Sequence, residues 1–273
     1  MSHHSDPFDP DDEDNMIEQA LSESLTPIGL PPARSDALRQ RLLARAARAA
    51  EAGRDFIRVP LSGADWERML PGVRVHRLDP AQRAVLIELA PGAALPVHRH
   101  HEDEECVVLR GAAELGDVTV RPGDYHLARP ESRHGRVRSR EGALLYLRGT
   151  PIGHAGEVLR DLVTALLPGA GEVPTTIRAG EGVWAPRGAG IVAKRLREDA
   201  VSRSEMLRIP PGTRLAGGLA PLGDECLLVE GDLALDDWAM VPGDYQLADG
   251  GGRHAELSSV SGAVVFVRSA QAT

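Results

Sequence analysis

The sequence repeats itself at a spacing of 120 residues, and this repeat constrains the fold more than any other feature. The register needs no gap, and it keeps glycine, proline, cysteine and histidine in step. The matched pairs are Pro91-Gly92 with Pro211-Gly212, Glu105-Cys106 with Glu225-Cys226, Gly111 with Gly231, Leu115 with Leu235, Asp117 with Asp237, Pro122–Tyr125 with Pro242–Tyr245, Arg133-His134 with Arg253-His254, and Gly142-Ala143 with Gly262-Ala263. A shared compositional bias does not preserve such a register, so the sequence indicates duplication of a whole domain.

Each copy consists of short apolar runs that end at turns. The pairs RAVLIELAPG and EMLRIPPG, ECVVLRG and ECLLVEG, and GALLYLRG and GAVVFVRS are rich in β-forming residues and lead into Gly or Pro-Gly. The 29 glycines and 20 prolines fit many short strands better than long helices. We therefore predict a mainly β protein with two tandem antiparallel barrels or sandwiches of the jelly-roll kind. In the repeated PGDY, glycine permits a tight turn, and we expect Asp124 and Asp244 to accept hydrogen bonds from nearby amides.

The first copy carries a spacing typical of metal ligands on a strand. Between Gly92 and Gly111 the order is Gly, five residues, His-x-His, three residues, Glu, six residues, Gly, which places His98, His100 and Glu104 in series. Side chains two apart on a strand share a face, so the two imidazoles can point together. A fourth ligand is needed for a mostly closed shell, and His134 is the natural candidate.

This spacing matches the first motif of the cupin superfamily, and the PGD of Pro122–Asp124 followed by His134 resembles its second motif. The segments HRHHEDEE and GDYHLARPESRH are most similar to the cupin domain of ChrR-type anti-sigma factors. The resemblance implies a jelly-roll barrel whose zinc ligands are His98, His100, Glu104 and His134. It also implies a regulatory protein of bacterial transcription, with an ECF-type sigma factor as partner.

Two details of this site stay open in the sequence. Glu105 competes with Glu104, because a four-residue gap after the second histidine also occurs in cupins; Glu104 alone keeps six residues before Gly111. The residue types suit Zn, Fe, Mn and Ni alike, and we expect one divalent ion, zinc by resemblance. The candidates for the mouth of the pocket are Arg99, Tyr125, His126, Arg129 and Arg133.

The second copy lacks most of the ligand set. At the same offset His98 becomes Gly218, His100 becomes Ala220, Glu104 becomes Asp224, and only His134 keeps a histidine, His254. One Asp and one His do not hold a transition metal tightly, so we predict a degenerate cupin domain without metal. An alternative use of this space, for an organic ligand, has no positive support in the sequence.

The sequence predicts five segments along the chain. Residues 1–30 form an acidic head expected to be disordered, residues 31–54 a helix, residues 55–150 the metal-binding barrel, residues 151–172 a linker helix and residues 173–273 the degenerate barrel. The linker helix is predicted from the broad apolar face of EVLRDLVTALL, which ends at Pro168-Gly169.

The N-terminal helix is expected over Ser35–Ala52, after Pro31-Pro32, with Ala37, Leu38, Leu42 and Ala46 on one face. It resembles the hinge helix that follows the zinc-binding head of many anti-sigma factors. Residues 1–52 contain no cysteine, so the Cys-x-x-Cys of the ChrR-type head is missing. The head is therefore either degenerate but still able to bind a sigma factor, or inactive, and the arginines of the helix are either a solvated face or a partner surface.

The composition of the chain argues against some classes of protein function. A net charge of −9 argues against direct nucleic-acid binding as the main function. No apolar run has the length of a membrane span and no signal peptide opens the chain, so we expect a cytoplasmic protein. Cys106 and Cys226 lie in apolar strands and are expected to be buried free thiols. A small-molecule ligand and a homodimer are further expected partners.

Three functional classes fit these patterns. The first is a zinc-binding regulator related to ChrR-type anti-sigma factors. The second is a mononuclear Fe(II) or Mn(II) cupin oxygenase acting on a small organic substrate, for which the sequence offers no convincing general base. The third is a sugar-binding or storage cupin. We favour the regulator, with the oxygenase as the alternative.

Overall fold

The structure is a computed structural model, and it describes residues 31–52, 54–96, 102–130, 132, 136–149, 173–216, 222–248, 254 and 256–271. The chain divides into two compact units, residues 1–48 and 49–273. The predicted acidic head and linker helix fall outside the described residues.

The predicted N-terminal helix is confirmed as α1 (Pro32–Ala52). Its apolar stripe is exposed rather than buried: the residue surfaces of Leu38, Leu42 and Leu43 are 43%, 57% and 60% exposed. Among the described residues, no helix is both long enough and apolar enough to cross a membrane.

The rest of the described chain is built from strands, as the turn-rich composition predicts. The first copy contributes β1 (Phe56–Val59), a 3-10 turn (Leu61–Gly63), β2 (Glu67–Leu70), β3 (Val73–Arg77), β4 (Ala84–Leu89), β5 (Ala94–Leu95), β6 (Glu104–Gly111), β7 (Ala113–Leu115), β8 (Val118–Val120), β9 (Tyr125–Ala128), β10 (Val137–Arg138) and β11 (Ala143–Arg148). The second copy contributes β12 (Thr175–Ile177), β13 (Trp184–Gly188), β14 (Ile191–Glu198), β15 (Ser202–Ile209), β16 (Thr213–Ala216), β17 (Glu225–Gly231), β18 (Leu233–Leu235), β19 (Trp238–Met240), β20 (Tyr245–Ala248), β21 (Glu256–Ser259) and β22 (Ala263–Ala270).

Each copy forms a two-sheet sandwich, which confirms the predicted jelly-roll architecture. In the first copy a seven-stranded sheet, ordered β12-β9-β6-β11-β4-β3-β2, faces a four-stranded sheet, β5-β10-β7-β8. In the second copy the sheets are β1-β20-β17-β22-β15-β14-β13 and β16-β21-β18-β19. Cys106 and Val108 lie in the apolar core between the first pair of sheets, and Cys226 and Leu228 lie in the core between the second.

The two copies exchange their first strands. Strand β1, from the first copy, pairs with β20 of the second, and β12 pairs with β9 of the first. A third core lies between the copies and includes Tyr125 and Tyr146 from one, and Tyr245 and Phe266 from the other. The two barrels are therefore joined both by backbone pairing and by a shared apolar interface.

The repeated PGDY turns hold the exchanged strands in place. Asp244 Oδ1 accepts a hydrogen bond from the backbone N of Leu61, just after β1, at 2.8 Å. Asp124 Oδ1 accepts one from the backbone N of Ala179, just after β12, also at 2.8 Å. The other carboxylate oxygen of each aspartate accepts from an amide of its own turn, Val241 or Arg121. The expected hydrogen bonding of both aspartates is confirmed, and part of it reaches the other copy.

We expect Asp244→Ala to lower the free energy of unfolding by about 1–3 kcal/mol, because it leaves two backbone amides without acceptors. Asp244→Asn keeps one side-chain acceptor and should cost less. Urea denaturation of the full chain measures both. Equal stability of wild type and Asp244→Ala would contradict a role for this carboxylate in holding β1.

Candidate metal site and polar centres of the barrels

The side chains of strand β6 alternate between two environments, and this alternation separates the two competing carboxylates. Cys106 and Val108 face the core inside the first barrel, whereas Val107 belongs to the core between the copies. Because side chains two apart on a strand share a face, Glu104 lies on the barrel-interior face and Glu105 on the inter-copy face. Glu104 thus has the orientation that a ligand inside the barrel requires.

Glu105 is instead part of the interface with the second copy. Its side chain is 2% exposed and accepts hydrogen bonds from the hydroxyl of Ser204 at 2.7 Å and from the hydroxyl of Tyr125 at 3.1 Å. Burial raises the pKa of Glu105, although Ser204, Arg197, Arg268 and Tyr125 each act to lower it. These contacts give Glu105 a structural role between the barrels.

His126 joins Glu104 on the interior face. It pairs with Cys106 across the β6–β9 ladder, and residues directly opposite each other on paired strands project to the same side. Its Nδ1 lies 2.8 Å from the hydroxyl oxygen of Thr176, which the exchanged strand β12 supplies. Burial lowers the pKa of His126 to about 4, against an opposing effect of Glu104. The imidazole is therefore neutral at pH 7.

The remaining predicted site residues fall in three places. Tyr125, expected at the mouth of the pocket, lies instead on the opposite face of β9, because its neighbour His126 occupies the interior face; it is 1% exposed between the copies. Arg129 forms an ion pair with Asp103 at 3.3 Å. His98, His100, His134, Arg99 and Arg133 lie outside the described residues.

The described residues alone hold no group of three or more His, Cys, Asp or Glu side chains able to bind a metal. The donors that the motif offers, three imidazoles and one carboxylate, suit a first-row divalent ion, and the interior orientation of Glu104 fits that set. The predicted ligand set as a whole stays a prediction.

Both cysteines are buried free thiols, as expected. Burial, and then the Glu104 charge, raise the pKa of Cys106, and burial raises that of Cys226 to about 12. Neither thiol forms the thiolate that metal binding or redox chemistry requires at pH 7.

The second barrel has a different polar centre. Gln246 stands at the position of His126, pairs with Cys226 across the β17–β20 ladder, and lies 2.6 Å from His254 Nε2. His254 Nδ1 lies 2.9 Å from Asp236 Oδ2. Asp224, at the position of Glu104, is exposed and accepts a hydrogen bond from the amide of Ala270. Its carboxylate is thus engaged outside the barrel interior.

Comparison with known proteins agrees with the spacing of the motif. Residues 55–152 match the family model described as the ChrR cupin-like domain. The first copy is therefore similar to the ChrR cupin-like domain. The match contains the whole His-x-His motif and His134. A search among curated proteins found no match to the sequence.

Solved structures extend the cupin fold to both copies. A protein of Nostoc punctiforme PCC 73102 that is proposed to be a dioxygenase superposes with a TM-score of 0.56 at 14% identity, covering 80% of this chain and 83% of that one. AerE of Microcystis aeruginosa gives 0.51 at 17% identity, covering 80% and 100%. The Lactobacillus farciminis oxalate decarboxylase in its formate complex gives 0.50 at 14%, covering 78% and 85%. At these identities the likeness establishes the fold and no activity.

Sequence reasoning missed Arg58, Asp236 and Gln246 as residues of a barrel interior. The repeat offset carried a signal for Gln246, which stands at the position of His126. No signal existed for Arg58, because its place is decided by strand exchange.

Proposed function

We propose that the chain is a metal-binding regulatory protein of the ChrR-like kind. The observation that carries this proposal is the family match over residues 55–152. The first barrel would hold one divalent ion, zinc, through His98, His100, Glu104 and His134. The interior orientation of Glu104 supports its place in that set. The ion would draw the ligand-bearing segments together.

A partner surface on the N-terminal helix forms the second half of the proposal. The exposed leucines of α1, Leu38, Leu42 and Leu43, form an apolar stripe suited to a protein partner. We propose an ECF-type sigma factor as that partner, bound without the cysteine-containing head.

The metal half is tested by elemental analysis of the purified full chain. We expect one zinc per chain in the wild type and none in the His98→Ala, His100→Ala double variant. Glu104→Ala should also lose metal, whereas His254→Ala, the matched histidine of the second copy, should keep it. Two metals per chain, or a metal content independent of His98 and His100, would show the ligand assignment to be wrong.

The partner half is tested by affinity capture of ECF-type sigma factors. Leu42→Asp should abolish capture while leaving the metal content unchanged. Val260→Asp is the matched control, because Val260 is an exposed apolar residue, at 83%, on the second barrel. Capture that survives Leu42→Asp and Leu43→Asp together would remove the helix from the proposal.

A cupin oxygenase remains the alternative function. It draws support from the structural likeness to a proposed dioxygenase and from the position of the His126 imidazole on the same interior face as Glu104. An oxygenase loaded with Fe(II) would consume O2 in the presence of a small dicarbonyl or phenolic substrate, and a regulator would not.

A further inference from the structure

The interior of the second barrel contains a buried polar cluster that includes a residue from the first copy. Arg58 lies on the exchanged strand β1 and pairs directly with Gln246 on β20, so both side chains face the barrel interior. Its Nη2 lies 3.9 Å from Asp236 Oδ2, within ion-pair range but too far for a hydrogen bond. In the first barrel the corresponding place opposite His126 is held by Thr176.

Aromatic rings hold this arginine and its neighbours in position. The guanidinium carbon lies 5.5 Å from the ring centroid of Trp238 and 5.9 Å from that of Phe56. The Phe56 ring stacks on His254, with centroids 4.2 Å apart. Both rings therefore lie within cation–π distance of the guanidinium group.

The protonation state of His254 determines which atoms of the cluster donate hydrogen bonds and which accept them. Burial lowers the pKa of His254, although the Asp236 carboxylate acts to raise it, so the ring is neutral at pH 7. Its Nδ1 donates to Asp236, and its Nε2 must then accept from the side-chain amide nitrogen of Gln246.

Within the described part of this cluster, three buried polar atoms have no hydrogen-bond partner. They are Oε1 of Gln246, a residue only 3% exposed, and Nε and Nη2 of Arg58. Those two nitrogens lie on one edge of the guanidinium, and from that edge they can donate two parallel hydrogen bonds to a carboxylate. An unpaired buried polar atom is unfavourable, so an arrangement with three of them is suited to a ligand that supplies the missing partners.

We propose that the second barrel binds a small 2-hydroxycarboxylate. Its carboxylate would accept from Nε and Nη2 of Arg58, and its hydroxyl would donate to Oε1 of Gln246. The histidine pair of the first barrel is replaced in the sequence by Gly218 and Ala220, which bear no metal-ligand atoms. This site needs no metal and does not depend on the function proposed for the first barrel.

Isothermal titration of the full chain with glycolate and with L-lactate tests the site. We expect saturable binding of at least one of them, with at least tenfold weaker binding of acetate, which lacks the hydroxyl, and of inorganic phosphate. The same titration in the His98→Ala, His100→Ala variant should give the same affinity, which separates this site from the metal site of the first barrel.

Variants of Arg58 and Gln246 locate the binding. Arg58→Met should weaken binding at least tenfold. Arg58→Lys keeps the charge but loses the pair of parallel N–H donors, so it should weaken binding as well. Gln246→Leu should remove the preference for glycolate over acetate. Arg74→Met is the matched control, because Arg74 lies over Trp66 at 5.3 Å on the surface of the first barrel, and it should leave binding unchanged.

Several results would overturn the proposal. These are the absence of saturable binding of either hydroxy acid, unchanged affinity in both Arg58 variants, binding lost with the first-barrel histidines, or phosphate binding as tightly as the hydroxy acids. Circular dichroism of each variant checks that the fold is intact.

Discussion

Glu225→Ala should lower the free energy of unfolding by about 3–5 kcal/mol, the cost of breaking a buried ion pair by removing one partner. The Glu225 side chain is 6% exposed and lies between the copies. It accepts hydrogen bonds from Nε of Arg148 at 2.9 Å and from Nη1 of Arg268 at 3.1 Å. Removing the carboxylate would leave two guanidinium groups close together, without their shared counter-charge.

Two tyrosines add to this cost. The hydroxyl of Tyr245 donates to Glu225 at 3.1 Å, and that of Tyr146, from the other copy, does so at 3.3 Å. Burial, and then the charge of Glu225, raise the pKa of Tyr245, so this hydroxyl remains a donor at all ordinary pH values. Without the carboxylate both hydroxyls lose their acceptor in the inter-copy core.

Glu88→Ala is the matched control. Glu88 also accepts from an arginine, Arg74, at 2.8 Å, but the Arg74 side chain is 51% exposed. Exposed ion pairs contribute about 0–1 kcal/mol, so this variant should change stability little. Guanidinium denaturation monitored by fluorescence measures both. A loss below 1 kcal/mol for Glu225→Ala would mean that the carboxylate does not stabilise the joint between the barrels.

Gly111→Ala should have an effect of similar or greater size, more than about 4 kcal/mol, which is exceptional for a single substitution. Gly111 has φ +70°, and a β-carbon added to it would lie 2.0 Å from the carbonyl oxygen of Gly142. No rotamer relieves that overlap, because both groups are backbone or fixed to it. The strand ladder between β6 and β11 would have to move apart.

The other glycine of the His-x-His motif provides the control. Gly92 has φ +79°, but nothing lies within 4 Å of the added β-carbon. Gly92→Ala should therefore lower the free energy of unfolding only through the strain of an alanine in the left-handed conformation, by about 1–2 kcal/mol. Gly231→Ala repeats the test in the second copy, where the oxygen of Gly262 lies at the same 2.0 Å. Equal losses for Gly92→Ala and Gly111→Ala would show that the close approach is not what requires glycine.

The choice between Glu104 and Glu105 shows where sequence reasoning ended. The spacing to Gly111 favoured Glu104, but the following run CVVL is apolar at every position, because β6 is buried on both faces. A run of this kind has no polar-apolar alternation from which to read faces. The neighbours of Cys106 and Val107 in the folded protein supply that information.

The sequence alone determined the duplication, the β architecture and the turns, because these depend on local features: the conformations open to Gly and Pro, the preference of apolar β-branched runs for strands, and a fixed offset between copies. It also placed both aspartates of PGDY in hydrogen-bonded turns. Only the tertiary structure decided that β1 and β12 cross to the opposite copy, that Tyr125 and Glu105 face the interface, and that Arg58 enters the second barrel. Strand partners far apart in the chain are selected by the packing of whole sheets, and a short strand such as Phe56–Val59 carries no local mark of its partner.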